Sequence, residues 1–281
     1  MKKFIALTAA LLALVLVFTA CAAKPENEEI TVISREEGSG TRSAFIELTG
    51  VEVDKVDKTT QKAEINSSTA VVMQTVAGNK AAIGYISLGS LDNSIKSVDV
   101  DGVAATAENV KNGTYPISRP FNIATLGELE NEAAQDFLNF ILSDEGQAVI
   151  TEKGYVSTAT TGAFTSTNPS GTVTVAGSSS VSPVMEKLAE AYMALNPAVT
   201  IQLQTSDSST GMSSAIEGLC DIGMASRAVK DSEQAEGLIP TTICMDGIAV
   251  VVNQENSISN LTLEQIRQIF TGEVTDWNNV K

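Results

Sequence analysis

The sequence predicts an α/β protein built as two lobes, and three observations carry that reading. From Glu29 onward, short β-branched runs alternate with amphipathic stretches, the pattern of strands and helices packed in layers. At 281 residues the chain is longer than one ordinary core requires and suits two domains. A stretch rich in Thr, Ser, Ala and Gly at 157–171, closing on the turn residues Asn168-Pro169-Ser170-Gly171, separates two blocks of different content. No repeat of fixed period competes with this division.

Taken in chain order, Lys2 and Lys3 precede an apolar run from Phe4 to Ala20 that reads as a secretion signal. The run closes in Val17-Phe18-Thr19-Ala20-Cys21, which resembles a bacterial lipobox, whose cysteine is acylated and becomes the mature N-terminus. An uncleaved membrane anchor is the alternative, but the run is short beside the ~20 apolar residues typical of a spanning helix. Either reading places the remainder outside the cell and tethers it to the membrane. The spacing then predicts strands at 30–33, 82–86, 173–176, 200–204, 221–224 and 247–253. Helices are expected at 43–48, 133–142, 183–195, 212–218 and 263–270. The last follows Thr262, with Gln265 at capping-box spacing from it, and sets Leu263, Ile266 and Ile269 on one face.

Composition excludes several functions. A formal charge of −16 opposes nucleic-acid binding, which needs a basic stripe. It does not oppose an enclosed anion, because a desolvated ligand feels local donors while the surface field is screened within ~8–10 Å. With no histidine, an imidazole-ligated metal centre is excluded, and the cysteine spacing does not suit zinc. Cys220 and Cys244 sit in apolar, strand-like settings, as either an extracellular disulfide or two buried thiols.

Chemistry concentrates where strands run into Gly/Ser/Thr loops that open helices. The first such segment is Ser34-Arg35-Glu36-Glu37-Gly38-Ser39-Gly40-Thr41-Arg42. Glycine lets the backbone approach a ligand there, free N–H groups at the helix start point at an anion, and Arg35 adds a fork matched to an oxyanion. Ala176-Gly177-Ser178-Ser179-Ser180-Val181-Ser182-Pro183 is the second and Ser206-Asp207-Ser208-Ser209-Thr210-Gly211 the third. A fourth is Met224-Ala225-Ser226-Arg227. Any one of them has an ordinary explanation as a helix cap. Together, with few carboxylates, they describe a cage for a multivalent oxyanion. No Walker ending follows Gly38, and no dinucleotide fingerprint appears.

These segments resemble the phosphate-binding proteins of high-affinity phosphate ABC transporters. The resemblance rests on the loops just quoted and on Asp221-Ile222-Gly223-Met224-Ala225-Ser226-Arg227, Asp246-Gly247-Ile248-Ala249-Val250, Ile269-Phe270-Thr271-Gly272 with Trp277, Ala82-Ile83-Gly84-Tyr85 and Tyr115-Pro116-Ile117-Ser118-Arg119-Pro120. It covers nearly everything after Glu29, but in unusual order. In the usual family chain the block at 171–281 comes first and 30–157 follows, so this sequence resembles a circular permutant whose 157–171 linker joins the ancestral ends.

The resemblance implies a two-lobed, periplasmic-binding-protein-like α/β fold with crossing hinge strands at 118–125 and 247–253. One lobe would comprise 30–115 with 248–281, the other 120–245. It also implies a ligand, inorganic phosphate, and a partner, the permease subunits of an ABC importer, at the outer face of the membrane, with no cofactor and no catalysis. Carried over by position, Ser179, Ser208, Ser39 and Thr41 donate hydroxyls, Ser180 and Gly40 backbone N–H groups, and Arg35 a charge-assisted pair, with Ser226 nearby. Arg227 departs from the family, some of whose members place there an aspartate that accepts the ligand's proton. Asp246 is the first substitute, with Glu37 and Asp207 behind it. Other readings are a receptor for sulfate, molybdate or tungstate, and a serine-dependent phosphatase or hydrolase. The last lacks a histidine base and has Lys187 alone near the serine loops.

Overall fold

The computed structural model describes residues 29–280, so the expected signal and Cys21 lie outside the described residues. The first block contains β1 (Thr31–Arg35), helix α1 (Gly40–Leu48), the short pair β2 (Glu52–Val53) and β3 (Val56–Asp57), β4 (Glu64–Asn66), α2 (Thr69–Gly78), β5 (Ala82–Ser87), β6 (Ile95–Val100) and α3 (Ala107–Lys111). The long strand β7 (Ser118–Leu126) leads into α4 (Glu132–Leu142), α5 (Asp144–Glu152) and β8 (Val156–Ser157). After the linker come β9 (Gly171–Ser178), α6 (Ser182–Leu195), β10 (Val199–Ser206), α7 (Ser208–Ile216), β11 (Ile222–Ala225) and α8 (Asp231–Ala235). The chain finishes with β12 (Leu238–Asn253), β13 (Asn260–Leu261) and α9 (Leu263–Thr271).

One sheet path runs β10-β9-β11-β7-β12-β5-β1-β4. Its flanks are parallel, with β9 between β10 and β11, and β1 between β4 and β5. Its middle is antiparallel. The first half of β12 pairs with β7, and the second half pairs with β5 and β6. The two halves serve different cores: Ile243 and Cys244 belong to one cluster with Phe121, Phe137 and Tyr192, whereas Ile248 to Val252 belong to another with Phe45, Tyr85 and Phe270. Strand β7 makes the same transition, with Ile117 just before it in the second of those cores and Phe121 in the first. Two lobes joined by crossing strands result.

Local chemistry accounts for the element ends. Thr262 accepts from Gln265 N while the Gln265 side chain accepts from Thr262 N, and Gly272 at φ 82° closes α9 in the left-handed conformation. Strand β5 is buried at all six positions and accordingly reads as a continuous apolar run rather than an alternating one. Where helix α7 meets β9, a Cβ on Gly211 would lie 2.6 Å from the Cα of Gly177, which itself has φ 130°. Glycine at both positions lets the helix start sit directly on the strand.

Several elements differ from expectation. The helix expected at 43–48 begins at Gly40, since Ser39 caps it by accepting from Arg42 N at 3.3 Å. The one expected at 212–218 begins at Ser208, capped by Asp207, so a hydroxyl run read as loop is the helix's first turn. Strand β12 starts at Leu238 instead of 247. Helices α2, α3, α5 and α8 lie outside the expected set. The 157–171 stretch is laid against the second lobe: buried Asp136 accepts from Thr167 N and Thr167 Oγ1, both at 2.9 Å, and Phe164 packs edge-on to Phe140. Cys220 and Cys244 are both buried free thiols, and Cys220 precedes β11 instead of lying in it. Among the described residues no helix is long and apolar enough to cross a membrane.

Candidate functional site

Four helices begin at one place between the lobes. Helices α1 and α2 follow β1 and β4 of the first lobe, while α6 and α7 follow β9 and β10 of the second. Each strand ends in a short loop, so the orphan N–H groups of four first turns gather with the positive ends of their dipoles. Their hydroxyls meet directly. Thr41 Oγ1 lies 2.7 Å from Ser180 Oγ, and Thr69 Oγ1 lies 3.1 Å from the same oxygen. Ser226 Oγ is 3.0 Å from Ser178 Oγ, 3.4 Å from Ser208 Oγ and 3.5 Å from Thr41 Oγ1. Ser226 N donates to Ser208 Oγ at 3.1 Å.

Arg35 brings the positive charge. Its Nη2 donates to Ser179 Oγ at 3.1 Å, across the lobes, and its Nη1 lies 3.5 Å from Thr69 Oγ1. The residue is held on three sides. Its backbone N donates to Tyr85 Oη at 3.2 Å, its carbonyl accepts from Arg42 Nη1 at 2.9 Å, and its Nε and Nη2 donate to the two Glu36 oxygens at 2.8 and 2.6 Å. Tyr85 is fixed in turn by stacking on Phe45 at 3.9 Å, and burial pushes its hydroxyl up to about 12, against hydrogen bonds from Ser34 and Arg35 that lower it. It remains a neutral phenol at any physiological pH. A guanidinium of 2% exposure is thereby aimed among hydroxyls that carry no charge of their own.

Of the residues singled out from sequence, Arg35, Thr41, Ser179, Ser180, Ser208 and Ser226 come together in this cluster. Gly40 packs against it from the first lobe: a Cβ there would overlap Ser208 Oγ and lie 2.8 Å from Ser226 Oγ. Ser39 is adjacent; its hydroxyl oxygen caps α1 by accepting from Arg42 N, a bond that leaves the hydroxyl proton free to donate. Asp246 does not reach the cluster. Its Oδ1 accepts from Ser87 Oγ at 3.0 Å and its Oδ2 from Arg119 Nη2 at 3.1 Å, so Arg119 stands between it and the hydroxyls. Glu37 is exposed, and Asp207 caps α7 through Thr210 N. Arg227, 6% exposed, is directed to Glu233 and pairs with it at 2.7 Å.

Thr69 is absent from the residues singled out in the sequence, and Ser178, Glu36 and Arg119, although inside the quoted segments, are given no role there. A signal for Thr69 was available: Asn66-Ser67-Ser68-Thr69 repeats the pattern of a strand end followed by hydroxyls and a helix. Glu36 is the carboxylate that the fold delivers to Arg35.

Two lobes on crossing strands, with helix starts from both converging on one buried polar cluster, define a solute-binding protein. A family model described as a PBP superfamily domain matches residues 13–145 and 162–281. The phosphate-binding protein PstS 2 of Streptococcus agalactiae is 49% identical over 256 residues, covering 89% of this chain and 87% of its own. A crystal structure of a phosphate-binding protein of a phosphate ABC transporter from Streptococcus pneumoniae TIGR4 is 46% identical, covers 90% of this chain and 100% of that one, and superposes with a TM-score of 0.71. The phosphate-binding protein PstS of Bacillus subtilis is 31% identical over 113 residues, 40% of this chain and 38% of its own. The chain belongs to the PBP superfamily, in the family of the PstS phosphate-binding proteins.

Proposed function

We propose that this chain binds inorganic phosphate between its lobes and delivers it to the permease of an ABC importer. The observation that carries the reading is the buried cluster in which Arg35, Thr41 and Thr69 from one lobe hydrogen-bond to Ser179, Ser180 and Ser226 from the other. Such a set supplies many neutral donors and one guanidinium, which suits a multivalent tetrahedral anion drawn out of water. Thr41, Ser39, Ser179 and Ser208 donate hydroxyls, Gly40 and Ser180 backbone N–H groups, and Ser226 lies beside them. Closure of the lobes about β7 and β12 brings the two half-sites together, and no bond is made or broken.

Selectivity over sulfate requires an acceptor for a proton that phosphate carries and sulfate lacks. Glu36 is better placed for this than Asp246, because Arg35 Nη2 links it to Ser179. The lobes would comprise 30–115 with 248–281 and 120–245, reordered relative to the usual family chain. Support for the permutation comes from the adjacency of the two seams, with Ile30 N donating to Thr275 O at 2.9 Å and Glu29 bridging Asp276. The 113-residue match to the Bacillus protein is also about the size of one block. Acylation at Cys21 would hold the protein at the outer face of the membrane.

Titration calorimetry of the chain from residue 29 onward tests the proposal. Saturable, stoichiometric phosphate binding that weakens on Arg35→Ala is expected. Absence of binding would end it.

A further inference from the structure

Arg119 lies outside the hydroxyl cluster, yet it is joined to it by a continuous line of hydrogen bonds. It stands on β7 opposite Asp246 on β12, where both strands pass from one core to the other. Arg119 Nη2 donates to Asp246 Oδ2 at 3.1 Å and Nη1 to the Ser226 carbonyl at 3.0 Å. Beyond Asp246, Ser87 Oγ donates from the end of β5. Beyond the Ser226 peptide, its hydroxyl meets Ser178, Ser208 and Thr41. The line therefore starts in one lobe, crosses both hinge strands and ends at the cluster between lobes.

Both charged members are about 2% exposed. A buried ion pair of this kind gives back in attraction about what it loses in desolvation, so its net contribution to folding is small. Stability does not explain it, whereas its geometry does something specific. Arg119 has a fork with one arm on the hinge carboxylate and one on the peptide that carries Ser226. Lysine offers one nitrogen on a flexible stem and does not reproduce the two separate nitrogen positions of that fork.

We infer that Arg119, clamped by Asp246, is a positioning residue for the anion site: it holds the Ser226 peptide so that the Ser226 hydroxyl faces Thr41 when the lobes are closed. The inference rests on the oxyanion-binding reading above. Since the contact it secures spans the lobes, its loss loosens the closed form and appears in the rate of ligand release more than in the rate of capture.

The test uses Arg119→Lys, which keeps a positive charge beside Asp246 but lacks the second arm of the fork. Labelled phosphate is loaded and its release chased with unlabelled phosphate. Expected are a release rate raised about tenfold, the size of one hydrogen bond of roughly 1.4 kcal/mol, a capture rate within about twofold of wild type, and a melting temperature close to wild type. In a Ser226→Ala background the same substitution should change release little, because Arg119 acts through Ser226. Wild-type release from Arg119→Lys, or equal effects with and without the Ser226 hydroxyl, overturns the inference. If Arg119→Lys does not fold, Arg119→Gln with Asp246→Asn removes both charges together, and the same faster release is required of it. Failure of the wild-type protein to bind phosphate would instead count against the proposed function.

Discussion

Gly40→Ala separates closure from folding more cleanly than any substitution of a polar group. Gly40 opens α1 and does not have a positive φ, so alanine fits its backbone and even favours the helix. The added methyl meets nothing of its own lobe among its nearest neighbours. Its three nearest atoms are Ser208 Oγ, Ser226 Oγ at 2.8 Å and the Ser226 carbonyl carbon at 3.0 Å, all from the other lobe. A serine hydroxyl can rotate away, but the Ser226 backbone cannot without moving the loop after β11. Overpacking of this kind costs about 1–3 kcal/mol. Because the clash exists only with the lobes together, that cost falls on the bound state and weakens phosphate binding by about 5- to 140-fold at ~1.4 kcal/mol per decade. Calorimetry reads the affinity, and a thermal melt without phosphate reads the fold, expected unchanged or slightly more stable. A dissociation constant within twofold of wild type would refute closure along the contact of Gly40 with Ser208 and Ser226.

Arg35→Ala removes the guanidinium paired with Glu36 and bonded to Ser179, and is expected to cost about 2–5 kcal/mol of phosphate binding by calorimetry. Asp246 yields a pH prediction: burial raises its carboxyl from 3.8 to about 6, against Arg119 and Ser87, which lower it. The folded state then holds a proton that the unfolded chain has lost, so the stability from this group, complete below about pH 4, drains away as pH rises through about 6. Urea titrations should show wild type losing about 1 kcal/mol relative to Asp246→Asn between pH 5 and 7, and parallel pH profiles would contradict this burial. For the cysteines, denaturing the chain from residue 29 without reductant should expose two alkylatable thiols by mass, and a disulfide would appear as none.

The parts of the site that were legible in the sequence are those written locally. A strand followed by Gly, Ser or Thr and then a helix is one short segment, and Ala176 to Pro183 carries its loop, hydroxyls and helix-starting proline together. Helix α2 escaped because Thr69–Gly78 is rich in β-branched residues and apolar around much of its girth, which leaves no helical stripe to read. Thr69 was missed with it. The start of α7 was misplaced because Ser208, Ser209 and Thr210 suit a loop as well as a first turn, and only the cap from Asp207 decides between them. The turn between β2 and β3 puts Asp54 and Lys55 at positive φ without glycine, so nothing marked it. Arg119 and Asp246 are 127 positions apart, and their pairing depends on the register of β7 against β12. That register is tertiary information. The same holds for the choice of Glu36 over Asp246 as the carboxylate beside Arg35, which turns on where each side chain is directed after folding.

The proposed site holds a protonated oxyanion with neutral hydroxyls, one guanidinium and one carboxylate. Its most direct test is competition of phosphate against sulfate for the same site at pH 6 and pH 8. Phosphate bound at both values, with sulfate at least about 100-fold weaker, is the predicted result, on the scale of one unpaired buried charge contact. Sulfate binding as tightly as phosphate, or more tightly, would contradict it.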